Sequence, residues 1–165
     1  MQPPSPRSKL TPGRKRFHMD AEKRYASILH KLRDTGHKVT PQRLAIIRLL
    51  AESKGHPSVE SIYNDLQGDF PTMSLATVYR NVMLIKSMGE VLEQGFPDGS
   101  KRYDGNKPYP HTHLICVRCK KIMDPELGDL EDMSEAVAKE TGFRILNHRM
   151  DFFGICPECQ GKRQT

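Results

Sequence analysis

Residues 74–104 read SLATVYRNVMLIKSMGEVLEQGFPDGSKRYD, and this stretch decides the fold class. Ser74 is a good helix N-cap and Gly89 a good helix stop. Between them Leu75, Val78, Val82 and Ile85 fall on one side of a helical wheel, which predicts an amphipathic helix from about Ser74 to Met88. Val91–Gly95 and Lys101–Asp104 then flank Pro97-Asp98-Gly99-Ser100, a turn sequence, so a β-hairpin follows. The opposite face of the helix carries Ala76, Arg80, Met83 and Ser87, with Thr77 and Tyr79 beside it. Near its N-terminal end that face offers Ala76, Thr77, Tyr79 and Arg80, where a recognition helix reaches bases and phosphates in a major groove.

Working upstream, three more helices are expected. Tyr25, Ile28, Leu29 and Leu32 recur at helical spacing within Glu22–Leu32, and Gly36 ends the pattern. Thr40-Pro41-Gln42-Arg43 opens a second helix, with Thr as N-cap and Pro at its first position. Its core face is Leu44, Ile47, Leu50 and Ala51. After the break Gly55-His56-Pro57, Ser58 caps a third helix whose apolar face is Val59, Ile62, Tyr63 and Leu66. Three helices, a recognition-type helix and a hairpin make a winged helix-turn-helix over residues 21–104. The basic residues Lys38, Arg43 and Arg48 add weight to a nucleic-acid reading.

Residues 1–20 hold five Pro and Gly positions (Pro3, Pro4, Pro6, Pro12, Gly13) and the run Arg14-Lys15-Arg16, and read as a disordered basic arm. Charge is divided unevenly: residues 1–50 hold 12 Lys and Arg against 3 Asp and Glu, the rest 14 against 17. A basic front end suits an anionic partner such as nucleic acid. The longest apolar runs are four residues, such as Leu44–Ile47, so no bilayer span is expected, and the arm lacks the apolar stretch of a secretory signal. A cytoplasmic protein is the default expectation.

Residues 105–110 read as a linker or hinge, and residues 111–165 as a second, smaller unit. In it His113–Cys116 and Lys121–Met123 are expected strands. Asp129–Thr141 is an expected helix with Leu130, Met133 and Val137 inward, and Phe143–Phe153 a further strand. Its small core calls for a staple. Cys116-x-x-Cys119 and Cys156-x-x-Cys159 lie 36 residues apart with no cysteine left over, which suits one tetrahedral structural zinc. The rival for a C-x-x-C pair is thiol–disulfide chemistry, which would need a βαβ setting.

A second donor set is richer in nitrogen and oxygen. His111 and His113 face the same side of an extended segment. Asp104 precedes His111 by seven residues and Asp124 follows His113 by eleven. Such a set suits Fe(II) or Mn(II), and also admits zinc. The plainer alternative is surface histidines beside a linker. His56, in the break between helices, is a candidate fifth donor that spacing leaves open. His148, on the last expected strand, is open between core residue and ligand.

Thr40-Pro41-Gln42-Arg43, His56-Pro57, Ser74–Arg80, His111-x-His113-Leu114-Ile115-Cys116-x-x-Cys119, Asn147-His148-Arg149 and Gly154-x-Cys156-x-x-Cys159 occur in this order. With them, the chain from about Tyr25 to Cys159 resembles the ferric uptake regulator (Fur) family of metal-dependent bacterial transcription repressors. The resemblance implies a homodimer with an N-terminal winged helix and a C-terminal α/β dimerisation domain, an α+β fold. It implies structural zinc on Cys116, Cys119, Cys156 and Cys159, and a regulatory metal on His56, Asp104, His111, His113 and Asp124. Asp at both carboxylate positions, and Thr112 between the histidines where iron sensors carry an acidic residue, match the peroxide-sensing PerR branch. In that branch Fe(II) with hydrogen peroxide oxidises a ligand histidine and repression ends. Lacking the acidic residue at Thr112, a further metal site involving His148 is doubtful. The expected protein is a repressor of operator DNA and no enzyme. The alternatives are an iron-, zinc- or manganese-responsive regulator of uptake genes and, from other classes, a zinc-dependent hydrolase or a thiol oxidoreductase. The hydrolase is disfavoured because no nucleophile or general base stands out beside the ligands.

Overall fold

Three helix starts are built by the same local chemistry. The side chains of Thr40, Ser58 and Ser74 accept hydrogen bonds from the N–H groups of Arg43, Ser61 and Thr77, each in an extended backbone that turns into helix. The computed structural model describes residues 20–96, 99–125 and 131–161. The basic arm before Asp20 and the hairpin residues Pro97 and Asp98 lie outside the described residues.

The first part holds α1 (Ala21–Asp34), α2 (Pro41–Glu52), α3 (Val59–Leu66) and α4 (Leu75–Ser87), then β1 (Leu92–Gly95) and β2 (Lys101–Asp104). β1 and β2 form an antiparallel hairpin with Leu92 opposite Asp104 and Gly95 opposite Lys101. This is a winged helix. Its core gathers Ile28 and Leu32 from α1, Ile46, Ile47, Leu50 and Ala51 from α2, Val59 and Ile62 from α3, and Val78, Val82 and Ile85 from α4. Each buried Ile, Leu or Val side chain among these contributes roughly 1.5–3 kcal/mol relative to exposure. Gly89 ends α4 with a φ of 75°, a left-handed turn that returns the chain towards β1.

Some faces differ from the expected ones. On α2, Ile46 is fully buried while Leu44 is only partly so, because α1 and α4 press on α2 from two sides and widen its apolar stripe. On α4, Leu75 is 41% exposed: the core has ended one turn before Val78. Met83, expected on the outer face, packs half-buried against the core. Arg43 and Arg48 are structural anchors. Arg43 donates to Asn81 Oδ1 at 2.7 Å, and Arg48 donates to Glu22 Oε1 at 2.5 Å while stacking on Tyr25.

The second part holds β3 (Thr112–Cys116), β4 (Ile122–Met123), α5 (Glu131–Thr141), β5 (Met150–Gly154) and the one-turn α6 (Pro157–Gln160). β3 is central, antiparallel to β4 and parallel to β5. Phe96 from the hairpin joins Ile115 and Ile122 in a small second core, which ties the wing to this sheet.

Two expectations for this part are corrected. Met133 and Val137 of α5 are 53% and 43% exposed rather than inward, and Leu130 lies outside the described residues. The strand expected over 143–153 pairs only from Met150, and Phe143 and Leu146 stand out to solvent. A helix or strand buries its apolar side only against a partner, and the described residues offer α5 and residues 143–149 none of sufficient size. No described helix is long and apolar enough to cross a membrane.

Candidate metal centres and nucleic-acid face

The thiol cluster is assembled by two turns. Cys116 closes β3, and the chain reverses through Lys120, whose φ is 61°. Cys156 precedes α6, Pro157 starts that helix, and Cys159 lies within it. One sulfur atom from each of the four lies within 4.8 Å of all the others, and Cys119 Sγ is 3.7 Å from Cys156 Sγ. Four sulfurs at zinc–thiolate bond lengths sit about 3.8 Å apart along a tetrahedral edge. Cys116 is pulled down to about 6 by backbone N–H groups of Cys119 and Cys156 aimed at its sulfur. Cys159 is pushed up to about 12 by hydrogen bonding with the Cys156 and Cys119 thiols and by burial. One thiolate is therefore supported by the protein, and four need a cation. Lys121 Nζ donates to Glu158 Oε1 at 2.6 Å and laces the two turns together.

The second cluster lies where the winged helix meets the three-stranded sheet. His56 comes from the α2–α3 break, Asp104 from the end of β2, His111 from just before β3, His113 from its start, and Asp124 from just after β4. His56 has a φ of 50°. A left-handed residue other than Gly is strained by about 1–3 kcal/mol and clusters at functional sites; here it turns the imidazole inward. His56 Nε2 is 3.5 Å from Asp104 Oδ2 and 3.3 Å from Asp124 Oδ1. His111 Nε2 is 3.3 Å from Asp104 Oδ2 and 3.4 Å from Asp124 Oδ2. The ring centroids of His111 and His113 are 4.3 Å apart, and those of His56 and His113 5.1 Å.

Hydrogen bonding orients these groups from behind. His111 Nδ1 donates to the Tyr109 carbonyl at 2.8 Å, which turns Nε2 to the centre. His113 Nδ1 is 3.2 Å from Asp151 Oδ1, a carboxylate–imidazole pair of the kind that backs metal ligands. Asp104 Oδ1 accepts from the N–H groups of Asn106 and Lys107, at 2.9 and 3.0 Å. What remains is a set of buried atoms without a hydrogen-bond partner: both nitrogens of His56, Asp104 Oδ2, His111 Nε2 and Asp124 Oδ1. Orphaned buried acceptors cost about 1–3 kcal/mol each unless something satisfies them. A cation among them would satisfy Asp104 Oδ2, Asp124 Oδ1, His111 Nε2 and one nitrogen of His56, and this donor set fits Fe(II), Mn(II) or zinc.

The charges agree. Burial, with His111 and His56 beside it, pushes His113 down to about 4, so near neutral pH it offers a lone pair. Burial opposes ionisation of Asp124, but the His111 and His56 imidazoles beside it outweigh that and hold the carboxyl well below its usual range. Asp104 is lowered in the same way, burial being overcome by His56.

The turn that presents Asp104 is bolted to the winged helix. A Cβ on Gly105 would stand 2.8 Å from Leu50 Cβ and 3.0 Å from the Leu50 carbonyl oxygen, so only glycine fits there. Arg24, 2% exposed, donates to the Gly105 carbonyl at 2.7 Å, to Glu90 Oε2 at 2.5 Å and to the Glu90 carbonyl at 2.7 Å.

Three supporting residues were not anticipated. Gln94, buried on β1, brings its Nε2 within 2.9 Å of His113 Nδ1. Asp151 backs His113, and Lys107 Nζ is 3.1 Å from Asp124 Oδ2. Asp151 precedes Phe152 and Phe153 in the expected strand, but nothing in its spacing assigns it to His113. His148 stands apart from the cluster, with Nδ1 3.0 Å from Ser134 Oγ.

On α4, Ala76, Tyr79 and Arg80 are exposed and Thr77 half-buried, all at the N-terminal end of the helix. Arg80 Nη2 donates to Thr77 Oγ1 at 3.1 Å.

Residues 34–153 match the model of the ferric uptake regulator family. The chain belongs to that family. Among Fur-family relatives, the peroxide-responsive repressor PerR of Staphylococcus aureus is 41% identical over 131 residues, covering 79% of this chain and 88% of the relative. The solved Helicobacter pylori ferric uptake regulator shares the fold at a TM-score of 0.74 and 24% identity, covering 89% of this chain and 98% of that one. The ferric uptake regulator of Francisella tularensis, solved with iron, superposes at a TM-score of 0.66 with 25% identity, covering 76% of this chain and 96% of that one. The family match spans every residue of the imidazole–carboxylate cluster and ends before the second cysteine pair.

Proposed function

We propose that this Fur-family protein is a homodimeric, metal-dependent repressor of transcription that responds to hydrogen peroxide. The observation that carries the reading is the inter-domain cluster of three imidazoles and two aspartates, each aspartate with one oxygen committed to the protein and one buried without a hydrogen-bond partner. His56, Asp104, His111, His113 and Asp124 hold the regulatory ion, Fe(II) or Mn(II), while Cys116, Cys119, Cys156 and Cys159 hold structural zinc. Two short aspartates with one available oxygen each leave coordination open, which suits a centre that a small oxidant reaches. Fe(II) held there would activate hydrogen peroxide; in the net change a ligand imidazole gives up two electrons and gains one oxygen atom, and the peroxide's other oxygen leaves as water.

The chain's residues convert that chemistry into DNA release. His56 belongs to the helical part and His111, His113 and Asp124 to the sheet, so ligation by all of them fixes the angle between the two parts. A fixed angle selects the arrangement in which two copies of α4 meet successive major grooves, with Ala76, Thr77, Tyr79 and Arg80 as the contacts. The two copies join through the apolar surface left on α5, on residues 143–146 and on Phe152 and Phe153. The protein works in the cytoplasm, where the DNA is, and is not an enzyme.

The test is selection of duplex DNA by Mn(II)-loaded protein, followed by binding of the selected sequence with Mn(II), with Fe(II), and with Fe(II) after peroxide. Binding in the first two states and loss in the third is the expected result. Binding that ignores metal in all three would overturn the proposal.

A further inference from the structure

Each carboxylate of the inter-domain cluster has one oxygen spent on the protein. For Asp104 the donors are main-chain N–H groups, those of Asn106 and Lys107. For Asp124 the donor is a side chain, the Lys107 ammonium 3.1 Å from Oδ2. Lys107 therefore touches both carboxylates, one through its backbone and one through its Nζ. Its side chain is 20% exposed, so the ammonium is largely withdrawn from water. Asp124 Oδ1 faces the other way, 3.3 Å from His56 Nε2. The neighbouring Lys121 is turned to Glu158 instead, its ammonium 2.6 Å from Oε1.

Resting on the regulatory-metal reading above, we propose that Lys107 is a positioning residue for Asp124, which weakens and shapes that residue's hold on the regulatory ion. Two consequences run in the same direction. A carboxylate with one oxygen held by an ammonium offers a cation one donor atom where a free carboxylate offers two. A positive charge beside the ligand also repels a divalent ion, and does so strongly where water is scarce. Lys107 thus trades affinity for reversibility. The ion is held by both domains, yet loosely enough to exchange, and Asp124 is kept from closing over the position beside its Oδ1.

The test compares the full-length, zinc-loaded protein with Lys107→Met and Lys107→Arg. Free Mn(II) is followed by electron paramagnetic resonance during titration. The backbone N–H to Asp104 survives in both variants, so the side chain alone is varied. Lys107→Met is expected to bind Mn(II) about tenfold more tightly than wild type, with an altered spectrum of the bound ion. Lys107→Arg, which keeps a cationic donor, is expected to bind as wild type does. Zinc content and circular dichroism should be the same in all three. Lys107→Met binding Mn(II) equally or more weakly with the fold intact would overturn the positioning role. A wild-type protein whose Mn(II) binding is unaffected by His56→Ala would instead remove the regulatory centre, and this inference with it.

Discussion

Replacing Arg24 with Met should be among the most damaging single changes outside the apolar core. Arg24 spends three nitrogens on Glu90 Oε2, the Glu90 carbonyl and the Gly105 carbonyl. Met fills part of the volume but leaves those acceptors buried with fewer donors. Breaking a buried ion pair by removing one partner costs about 3–5 kcal/mol. Lys31 still reaches Glu90 Oε1 at 2.9 Å, and its side chain is half-exposed, so the carboxylate is not wholly stranded. The lower end, about 3 kcal/mol, is the expected loss. Burial raises Glu90, but hydrogen bonds from Lys31 and Arg24 outweigh it and hold the carboxyl below its ordinary value. A carboxyl lowered by folding adds stability above its unfolded pKa, about 4.3, and that stability is lost as pH falls through the folded value. Arg24→Met should therefore flatten the acid limb of the stability profile. Urea unfolding at neutral pH and at pH values below that of free glutamate reads both effects. A loss of under about 1 kcal/mol, within the range of ordinary surface substitutions, with an unchanged acid limb would refute the reasoning.

Three other changes probe separate parts. Gly105→Ala sets a Cβ against backbone atoms of Leu50, so the turn must shift and carry Asp104 with it; about 1–3 kcal/mol of stability and at least tenfold of Mn(II) affinity should be lost, read by unfolding and by titration. Cys116→Ser should release zinc and weaken the dimer, because among the described residues the second core gathers just Phe96, Ile115 and Ile122; a zinc-loaded, stable dimer by mass spectrometry and ultracentrifugation would contradict the thiolate assignment. Arg80→Ala should weaken operator binding by roughly 1–3 kcal/mol at matched salt without changing the unfolding midpoint, and unchanged affinity would take the α4 face out of the groove.

What was legible in the chain was local or strictly periodic. Thr40, Ser58 and Ser74 announce helices because a cap is made within three residues. The cysteine pairs and His111-x-His113 are legible because turn and strand geometry set their spacing. His56 was not assignable by spacing, since its neighbours Asp104 and Asp124 lie far along the chain and its aim depends on a left-handed backbone. Nothing local in the chain pairs Arg24 with Glu90, which lies 66 positions away. Lys107 was hidden in a segment read as linker. The spacing points Met133 and Val137 inward and makes 143–153 a strand, yet an apolar pattern does not say whether the covering surface belongs to the same chain.

The central claim is that the imidazole–carboxylate cluster is an iron centre that records peroxide on its own ligands. The most direct measurement is peptide mass spectrometry of the Fe(II)-loaded protein before and after hydrogen peroxide, with the Mn(II)-loaded protein beside it. The account expects one added oxygen on the peptide carrying His56 or His111 in the iron form, none in the manganese form, and loss of DNA binding in step with the oxidation. If both histidines stayed intact while the Fe(II) form bound DNA, the peroxide reading would be contradicted, and the scaffold would answer to metal supply alone.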